Sequence, residues 1–250
     1  GWHIECSAMS RKYLGQPFDI HTGGIDHIPI HHNNEIAQSE AAYDVPLANY
    51  WLHNEHLIIA KGKMAKSGEN FITLQNLKER GISPLAYRYF LLLAGYRTPI
   101  NFQEDLVKKV AVVSLERIYK ELAEMPEGGK IVNSYAHNFL NSISNDLNTA
   151  LGLSLAHEVL RDNNLSSADK LATLLDFDRV LGLNFAEGRR AASSRAAEIV
   201  PENILKLVTL RDTARSAEDW EKSDELRTQI EALGFIVEDT EKGSKISRKL

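Results

Sequence analysis

The pattern of apolar residues changes twice along this chain, and these changes limit the folds that the chain can adopt. Residues 1–82 alternate short strand-like runs with glycine-rich turns and helical stretches, which is typical of an α/β domain. Residues 83–186 repeat apolar side chains every three or four positions, which predicts a helical bundle whose first helix follows a Ser83 cap and begins at Pro84. We therefore expect an α/β domain followed by a mostly α domain.

The last quarter of the chain forms a third block. Residues 187–200 are small and polar with little periodicity, so we interpret them as a linker. Residues 201–250 predict two helices, the second ending at Gly234, followed by a closing hairpin that starts with the β-branched run 235–237. The chain is therefore expected to end in a small mixed α/β domain.

Composition limits the compartment and the partners. Cys6 is the single cysteine of these 250 residues, which excludes a disulfide within them and favours a reducing cytoplasm. No apolar run approaches the roughly 20 residues that a membrane span needs, so no membrane partner is expected. The formal net charge of −5 neither indicates nor excludes a nucleic acid. The chain opens at Gly1 without an initiator methionine, and we expect that a further segment precedes it.

Three potential metal ligands lie near the start of the chain. His31 and Glu35 are four residues apart, so on a helix they share one face and can reach one ion. Cys6 lies far from them in sequence and has to be brought to them by the fold. The three offer one soft, one borderline and one hard ligand, a set that fits zinc and leaves a coordination position open. On spacing alone, a small metallohydrolase or a buried cysteine beside a surface histidine remains open.

A second group of residues is suited to a nucleotide. Lys63 and Lys66 lie in the run Lys-Met-Ala-Lys-Ser, where two ammonium groups can hold the phosphates of a nucleotide during reaction. Upstream, Gly24 lets the backbone approach a ligand closely, and Asp26 can accept hydrogen bonds from ribose hydroxyls. A solvated basic turn and an ordinary glycine turn are the alternatives. Together with the metal ligands, this pattern indicates an ATP-using enzyme with a metal in its substrate pocket.

Several long motifs occur in order along nearly the whole chain. They are Gly-Trp-His-Ile-Glu-Cys-Ser-Ala-Met at 1–9, Asn-Glu-Ile-Ala-Gln-Ser-Glu at 34–40, Tyr-Trp-Leu-His-Asn at 50–54, Asp-Leu-Asn-Thr at 146–149 and Glu-Asp-Thr at 238–240. In these motifs the chain resembles the cysteinyl-tRNA synthetases. The resemblance implies the C-terminal half of a class I, Rossmann-type catalytic domain, then a helical bundle that contacts the tRNA stem, and then a small anticodon-binding domain.

The resemblance also implies roles for residues near the start. Family members bind one zinc per subunit through two cysteines, a histidine and a glutamate, and Cys6, His31 and Glu35 match three of these ligands. Trp2 and His21 match residues that line the pocket for the substrate L-cysteine. The thiolate of that cysteine binds the zinc directly, which explains selectivity against serine because a soft thiolate outcompetes a hydroxyl on zinc.

The nucleotide residues match the same family. Lys66, with Lys63, matches the Lys-Met-Ser-Lys-Ser loop that stabilises the departing pyrophosphate while the adenylate forms from ATP, which acts with Mg²⁺. Gly24 and Asp26 match the loop that is expected to hold the adenosine. Ala65 stands where the family usually has serine, a mild departure that leaves both lysines in place.

The C-terminal block is implied to bind the anticodon of tRNA(Cys). Arginine and aspartate can pair with the base edges of an unstacked loop and aromatic rings can stack on it, so we expect Arg215, Trp220, Asp224 and Asp239 to read the anticodon. The block holds nine Lys or Arg against eleven Asp or Glu, so its charge alone does not indicate RNA binding. A core position for Trp220 is the alternative.

The resemblance therefore predicts a cytoplasmic, monomeric cysteine–tRNA ligase. The family's second cysteine ligand and its His-Ile-Gly-His-type signature have no counterpart in these 250 residues, so we expect this polypeptide alone not to catalyse aminoacylation. Two alternatives remain open: a cysteine-activating ligase of the mycothiol pathway, which joins cysteine to a sugar amine, and a non-catalytic tRNA-binding remnant. A metallohydrolase ranks last, because the resemblance extends over the whole chain.

Overall fold

The chain folds into two compact units. The computed structural model describes residues 1–59, 62–63, 72–196, 200–240 and 243–248. The first unit consists of Gly1–Arg117 and Pro126–Asn184, and the second of Ile118–Met125 and Phe185–Leu250. The first unit contains both the α/β part and most of the helices, and the boundary that the sequence pattern places between residues 82 and 83 lies within this unit.

The α/β part of the first unit is built around a pair of parallel strands. These strands are β1 (Phe18–Gly24) and β2 (Ala48–Asn54), and the chain passes between them through α2 (Asn33–Tyr43). Helix α1 (His3–Leu14) packs against α2. Because parallel strands need a crossover connection, this β–α–β arrangement is the one that the alternating strand and helix pattern predicts.

A second small sheet and two helices follow. The strand β3 (Leu57–Ile59) pairs antiparallel with β4 (Gly62–Lys63) and parallel with β5 (Ile100–Phe102). Helices α3 (Leu74–Glu79) and α4 (Pro84–Leu92) lie between β4 and β5 in sequence. The predicted start of α4 is confirmed, because the Ser83 hydroxyl accepts a hydrogen bond from the Ala86 N–H at 3.1 Å and Pro84 occupies the first turn.

The remaining helices of the chain before residue 184 form the predicted helical part. They are α5 (Glu104–Val107), which continues through a π-helical turn into α6 (Val113–Ala123), then α7 (Asn133–Ser144), α8 (Thr149–Arg161) and α9 (Ser167–Leu181). At the core, the rings of Phe139 and Phe177 stack with their centroids 4.1 Å apart. No helix in the described part of the chain is long and apolar enough to cross a membrane.

The second unit ends with the two helices and the hairpin that the sequence predicts. Its elements are α10 (Phe185–Ala196), α11 (Glu202–Ser216), α12 (Trp220–Ala232) and the antiparallel strands β6 (Phe235–Thr240) and β7 (Gly243–Arg248). Ile204, Val208, Ile230, Phe235 and Val237 form its buried core. The hairpin therefore packs its inward-facing residues against both preceding helices.

The interpretation of residues 187–200 as a linker is wrong for most of that segment, because α10 continues to Ala196. Small residues explain the error. A side chain at Gly188 would place its Cβ 2.2 Å from the ring of Tyr119, and Ala192 is buried. Small residues therefore form the packing face of this helix, and they carry no apolar periodicity that the sequence could reveal.

Candidate functional site

The three predicted metal ligands converge in the first unit. Cys6 lies in α1, Glu35 lies in the first turn of α2, and His31 lies in the π-helical turn that leads into α2. One ligand atom from each lies within 4.8 Å of the other two. The His31 Nε2 and Glu35 Oε1 atoms are 3.6 Å apart, as the four-residue helical spacing predicts. The packing of α1 on α2 supplies the cysteine that spacing alone could not place.

A shell of histidines surrounds these three residues. The Glu35 side chain is 1% exposed, and its Oε2 lies 2.8 Å from His21 Nε2. The Nδ1 atoms of His3 and His31 are 2.9 Å apart, which leaves His31 Nε2 facing Glu35. Because a ligating histidine usually uses its second ring nitrogen in an outer hydrogen bond, His3 and His21 are suited to orient the two ligands.

The protonation of the site suits a cation. Burial lowers the pKa of His31, and it lowers the pKa of His32 to about 4, so both imidazoles are neutral at pH 7 and retain a lone pair. Burial and the charge of Glu35 raise the pKa of the Cys6 thiol. The Glu35 carboxyl group, the His31 imidazole and the Cys6 thiol together offer one oxygen, one nitrogen and one sulfur donor to a single divalent ion. The residues therefore fit zinc.

The two residues expected to line the amino-acid pocket lie beside the ligands. The Trp2 ring packs with its centroid 4.1 Å from that of His31, and Trp2 is 59% exposed. The His21 ring meets the Trp51 ring edge-on at 4.8 Å. Trp2 thus adjoins His31 and His21 adjoins Glu35, and Trp51 is an aromatic neighbour that the sequence analysis did not single out.

The residues expected at the adenosine lie at the end of β1. Gly24 pairs with Asn54 of β2, and its N–H donates to His27 Nδ1 at 3.1 Å. The Asp26 carboxylate is half-exposed, with its Oδ1 3.8 Å from His56 Nε2. The resemblance places Gly24 in a loop, whereas strand β1 continues through Gly24. The adenosine role of Gly24 and Asp26 stays a prediction.

The lysine run is only partly described. Lys63 ends the short strand β4, whose backbone pairs with β3. Lys66, the residue expected to hold the departing pyrophosphate, lies outside the described residues, as does Ala65. The catalytic role of both lysines therefore stays a prediction.

Three of the four expected anticodon residues meet in the second unit. The Arg215 guanidinium lies 5.6 Å from the centre of the Trp220 ring, and its Nη1 lies 3.3 Å from Asp239 Oδ2. Trp220 is 57% exposed, which contradicts the alternative of a core position. Asp224 is exposed one turn further along α12. The exposed ring and the guanidinium form a surface on which an unpaired base can stack.

The sequence analysis missed one residue of this surface. Arg211 is 1% exposed, and its two terminal nitrogens each donate to one Asp239 oxygen at 2.9 Å. The sequence could have associated Arg211 with this surface, because Arg211 lies four residues before Arg215 and residues four apart share a helix face. An arginine in a polar helix is usually solvent-exposed, however, and charge alone does not reveal a buried one.

Comparison with known proteins identifies the class of this chain. Residues 1–112 match the family model described as the tRNA synthetases class I (C) catalytic domain. Residues 199–245 match the one described as the Cysteinyl-tRNA ligase anticodon binding domain. These matches place the chain among the class I aminoacyl-tRNA synthetases.

Curated relatives narrow the class to a family. The chain is 42% identical over 247 residues to the cysteine–tRNA ligase 1 of Burkholderia lata, covering 98% of this chain and 51% of that protein. It is 43% identical to the cysteine–tRNA ligase of Novosphingobium aromaticivorans, covering 96% of this chain and 52% of that protein. The chain belongs to the cysteine–tRNA ligase family. It spans about half the length of the curated relatives it matches.

A solved structure supports the fold. The chain aligns with the LeuRS of a ternary LeuRS-tRNA-LeuAMS complex from Agrobacterium radiobacter K84 with a TM-score of 0.53 and 15% identity. The alignment covers 72% of this chain and 28% of that one. At this identity the likeness concerns the fold alone, and it agrees with the expected class I architecture.

Proposed function

We propose that this chain acts in the cysteine–tRNA ligase reaction, in which ATP, L-cysteine and tRNA(Cys) give Cys-tRNA(Cys), AMP and diphosphate. The observation that carries the proposal is the convergence of a partly buried Cys6 with the buried His31 and Glu35, beside Trp2. A thiol, an imidazole and a carboxylate form a donor set for zinc, and a fourth position remains for a substrate atom. An amino acid with a soft sulfur is the substrate that such a site selects.

The residues around the metal have separable roles. Cys6, His31 and Glu35 would hold one zinc per subunit, which supplies a Lewis acid that prefers a thiolate to a hydroxyl. His21 holds the Glu35 carboxylate at 2.8 Å and keeps it turned towards the ligand cluster. The Trp2 ring provides an apolar wall beside His31.

The nucleotide residues complete the proposed reaction. Gly24 and Asp26, at the end of β1, would contact the adenosine of ATP. Lys63 and Lys66 would place positive charge on the phosphates as diphosphate departs, together with Mg²⁺. The match of residues 1–112 to a class I catalytic domain supports this assignment.

RNA binding would belong to the second unit. The match of residues 199–245 to an anticodon-binding domain supports tRNA(Cys) as the partner, with Arg215, Trp220, Asp224 and Asp239 as its readers. The same match disfavours a ligase that joins cysteine to a sugar amine, because such an enzyme has no use for an anticodon module. We further propose a monomer that acts in the cytoplasm.

Amino-acid selectivity tests this proposal directly. The zinc-treated 250-residue chain is titrated calorimetrically with L-cysteine and with L-serine. L-cysteine is expected to bind and L-serine is not, and Glu35→Gln is expected to abolish cysteine binding. Glu40→Gln is the matched control, because Glu40 lies on the same helix and is exposed. Equal binding of the two amino acids would refute the proposed substrate.

A second titration separates the ligase from a tRNA-binding remnant. A tRNA(Cys) transcript is expected to bind the chain, and a transcript with a changed anticodon is expected to bind more weakly. RNA binding without cysteine binding would favour the remnant. Cysteine-dependent ATP–pyrophosphate exchange by the 250 residues alone would contradict the expectation that they do not form the adenylate.

A further inference from the structure

Arg211 is a buried arginine that joins a helix to both strands of the hairpin. It lies in α11 and is 1% exposed. Its Nη1 and Nη2 donate to Asp239 Oδ1 and Oδ2, each at 2.9 Å, and Nη1 also reaches Ser244 Oγ at 3.3 Å. Asp239 and Ser244 are paired residues on β6 and β7. A planar guanidinium that meets both carboxylate oxygens fixes the carboxylate in position and in orientation.

The carboxylate that Arg211 fixes is part of the exposed surface. The Asp239 side chain is 43% exposed, so the carboxylate remains accessible to solvent beside its ion pair with Arg211. Its Oδ2 also lies 3.3 Å from Arg215 Nη1, and the Arg215 guanidinium lies over the Trp220 ring. A chain of contacts therefore runs from the buried guanidinium through the carboxylate to the exposed arginine and ring.

The turn between α11 and α12 brings Arg215 close to Trp220. Helix α11 ends at Ser216 and α12 begins at Trp220, and Glu218 between them has a left-handed backbone with φ of 59°. The short turn fixes Arg215 and Trp220 at the same end of the helix pair. It does not fix the side chain of Arg215, which has several rotamers available when no carboxylate anchors it.

We propose that Arg211 is a positioning residue for RNA binding: by holding the Asp239 carboxylate, it sets where Arg215 and Trp220 meet an unpaired nucleotide. The inference rests on the proposed binding of the tRNA anticodon by this unit. Arg211 itself is too deeply buried to touch RNA, so it acts through the groups it contacts. Its Nη1 also lies 3.2 Å from Asp212 Oδ1, but only the Asp239 carboxylate receives both terminal nitrogens.

Measurements of stability and of RNA affinity distinguish this role from that of a purely structural ion pair. A buried pair that serves only folding affects the unfolding midpoint, and the affinity of the folded protein for RNA stays unchanged. A positioning residue lowers the affinity of the folded protein. Because a positioning residue touches no phosphate, its substitution leaves the dependence of that affinity on salt concentration unchanged.

The main test uses Arg211→Lys, which keeps the charge and removes the two-pronged contact. The probe is an RNA stem-loop with the anticodon arm of tRNA(Cys), titrated at several salt concentrations and below the unfolding midpoint of each variant. Arg211→Lys is expected to weaken binding about tenfold, in the range of one lost base-stacking contact, with the salt dependence of the wild-type chain. Arg215→Ala is expected to weaken binding and to reduce the salt slope by about one.

Two comparisons establish that the effect passes through the carboxylate. In an Asp239→Asn background, Arg211→Lys is expected to cause no further loss of affinity, since coupled residues are non-additive. Arg190→Lys is the matched control, because Arg190 is an exposed arginine in the same unit that pairs with Glu187. It is expected to bind as the wild-type chain does.

A further variant covers the case in which Arg211→Lys does not fold. Asp239→Glu preserves the charge and moves the carboxylate by one methylene at a site that is 43% exposed. It is expected to weaken RNA binding with unchanged salt dependence. Wild-type affinity in both Arg211→Lys and Asp239→Glu, with Arg215→Ala impaired, would overturn the positioning role. A wild-type chain that does not bind the stem-loop at all would instead refute the proposed function.

Discussion

Gly23→Ala is a single-atom test of the packing around the metal cluster. An added Cβ would lie 2.6 Å from His32 Cε1 and 2.8 Å from His32 Nε2. Ordinary contact begins at 3.4 Å, so the nearest ring atom has to move from 2.6 to 3.4 Å, a shift of about 0.8 Å. His32 is 4% exposed, and its Nδ1 already lies 2.8 Å from His53 Nε2, so the ring cannot move without disturbing its neighbours.

The size of the effect follows from this geometry. Overpacking of a close-packed site costs about 1–3 kcal/mol, and a lost hydrogen bond costs about 1 kcal/mol. We expect Gly23→Ala to lower the free energy of unfolding by about 2 kcal/mol. His32 Nε2 lies 3.9 Å from Glu35 Oε2, so displacing the ring also disturbs a metal ligand. Zinc affinity is therefore expected to fall about tenfold, the usual effect of changing an outer contact of a metal site.

The assay combines urea unfolding with zinc competition. Tryptophan fluorescence follows unfolding, since Trp2 and Trp51 both pack against histidines of the cluster. A chelator of known affinity measures zinc binding. Gly95→Ala is the matched control, because its Cβ would meet only Thr98 Oγ1, at 3.9 Å. If Gly23→Ala and Gly95→Ala gave the same stability and zinc affinity, the proposed packing of His32 on β1 would be wrong.

Three further perturbations test the helical core and the second unit. A hydrogen bond from Arg211 holds the pKa of Asp239 below its usual range, so the stabilisation by this carboxylate is present above about pH 4 and is lost as the pH falls through the lowered value. In urea unfolding from pH 7 to 2, Asp239→Asn should therefore lose less stability than the wild-type chain, although its other carboxyl groups with lowered pKa values still titrate. Phe177→Ala should lower the free energy of unfolding, measured with urea, by about 3–5 kcal/mol, because Phe177 is fully buried. Val180→Ala should lower it by less than about 0.5 kcal/mol, because Val180 is exposed. Gly188→Ala should lower the midpoint of thermal unfolding, because the added Cβ would clash with the Tyr119 ring, whereas a linker would tolerate the change. Recovery of the midpoint in a Gly188→Ala, Tyr119→Leu double variant would confirm the clash, and a midpoint raised by Gly188→Ala alone would contradict it.

The metal cluster shows how much of the site the sequence could predict. The pairing of His31 with Glu35 follows from helical periodicity alone, so four-residue spacing was sufficient. The contribution of Cys6 depends on the packing of α1 against α2, and no local pattern encodes contacts over that distance. Its chemistry and then the family resemblance made it a candidate ligand, and the structure places its sulfur within 4.8 Å of the other donors.

The errors and omissions have physical causes of a different kind. Residues 187–200 were interpreted as a linker because small side chains give no apolar stripe, although Gly188 and Ala192 pack closely because they are small. Arg211 was missed because composition treats arginine as a surface residue. Its burial depends on the Asp239 carboxylate of β6, 28 residues away, and only the folded hairpin brings that partner to it. Side-chain burial that depends on a distant charge cannot be deduced from local pattern.

Zinc content is the measurement that tests the metal site most directly. The purified 250-residue chain is loaded with zinc, freed of excess metal by gel filtration and analysed by mass spectrometry of the metal, alongside Cys6→Ser. Convergence of Cys6, His31 and Glu35 predicts one zinc per wild-type chain and none in the variant. A wild-type chain without zinc, or a Cys6→Ser variant that retains a full equivalent, would contradict the proposed ligand set.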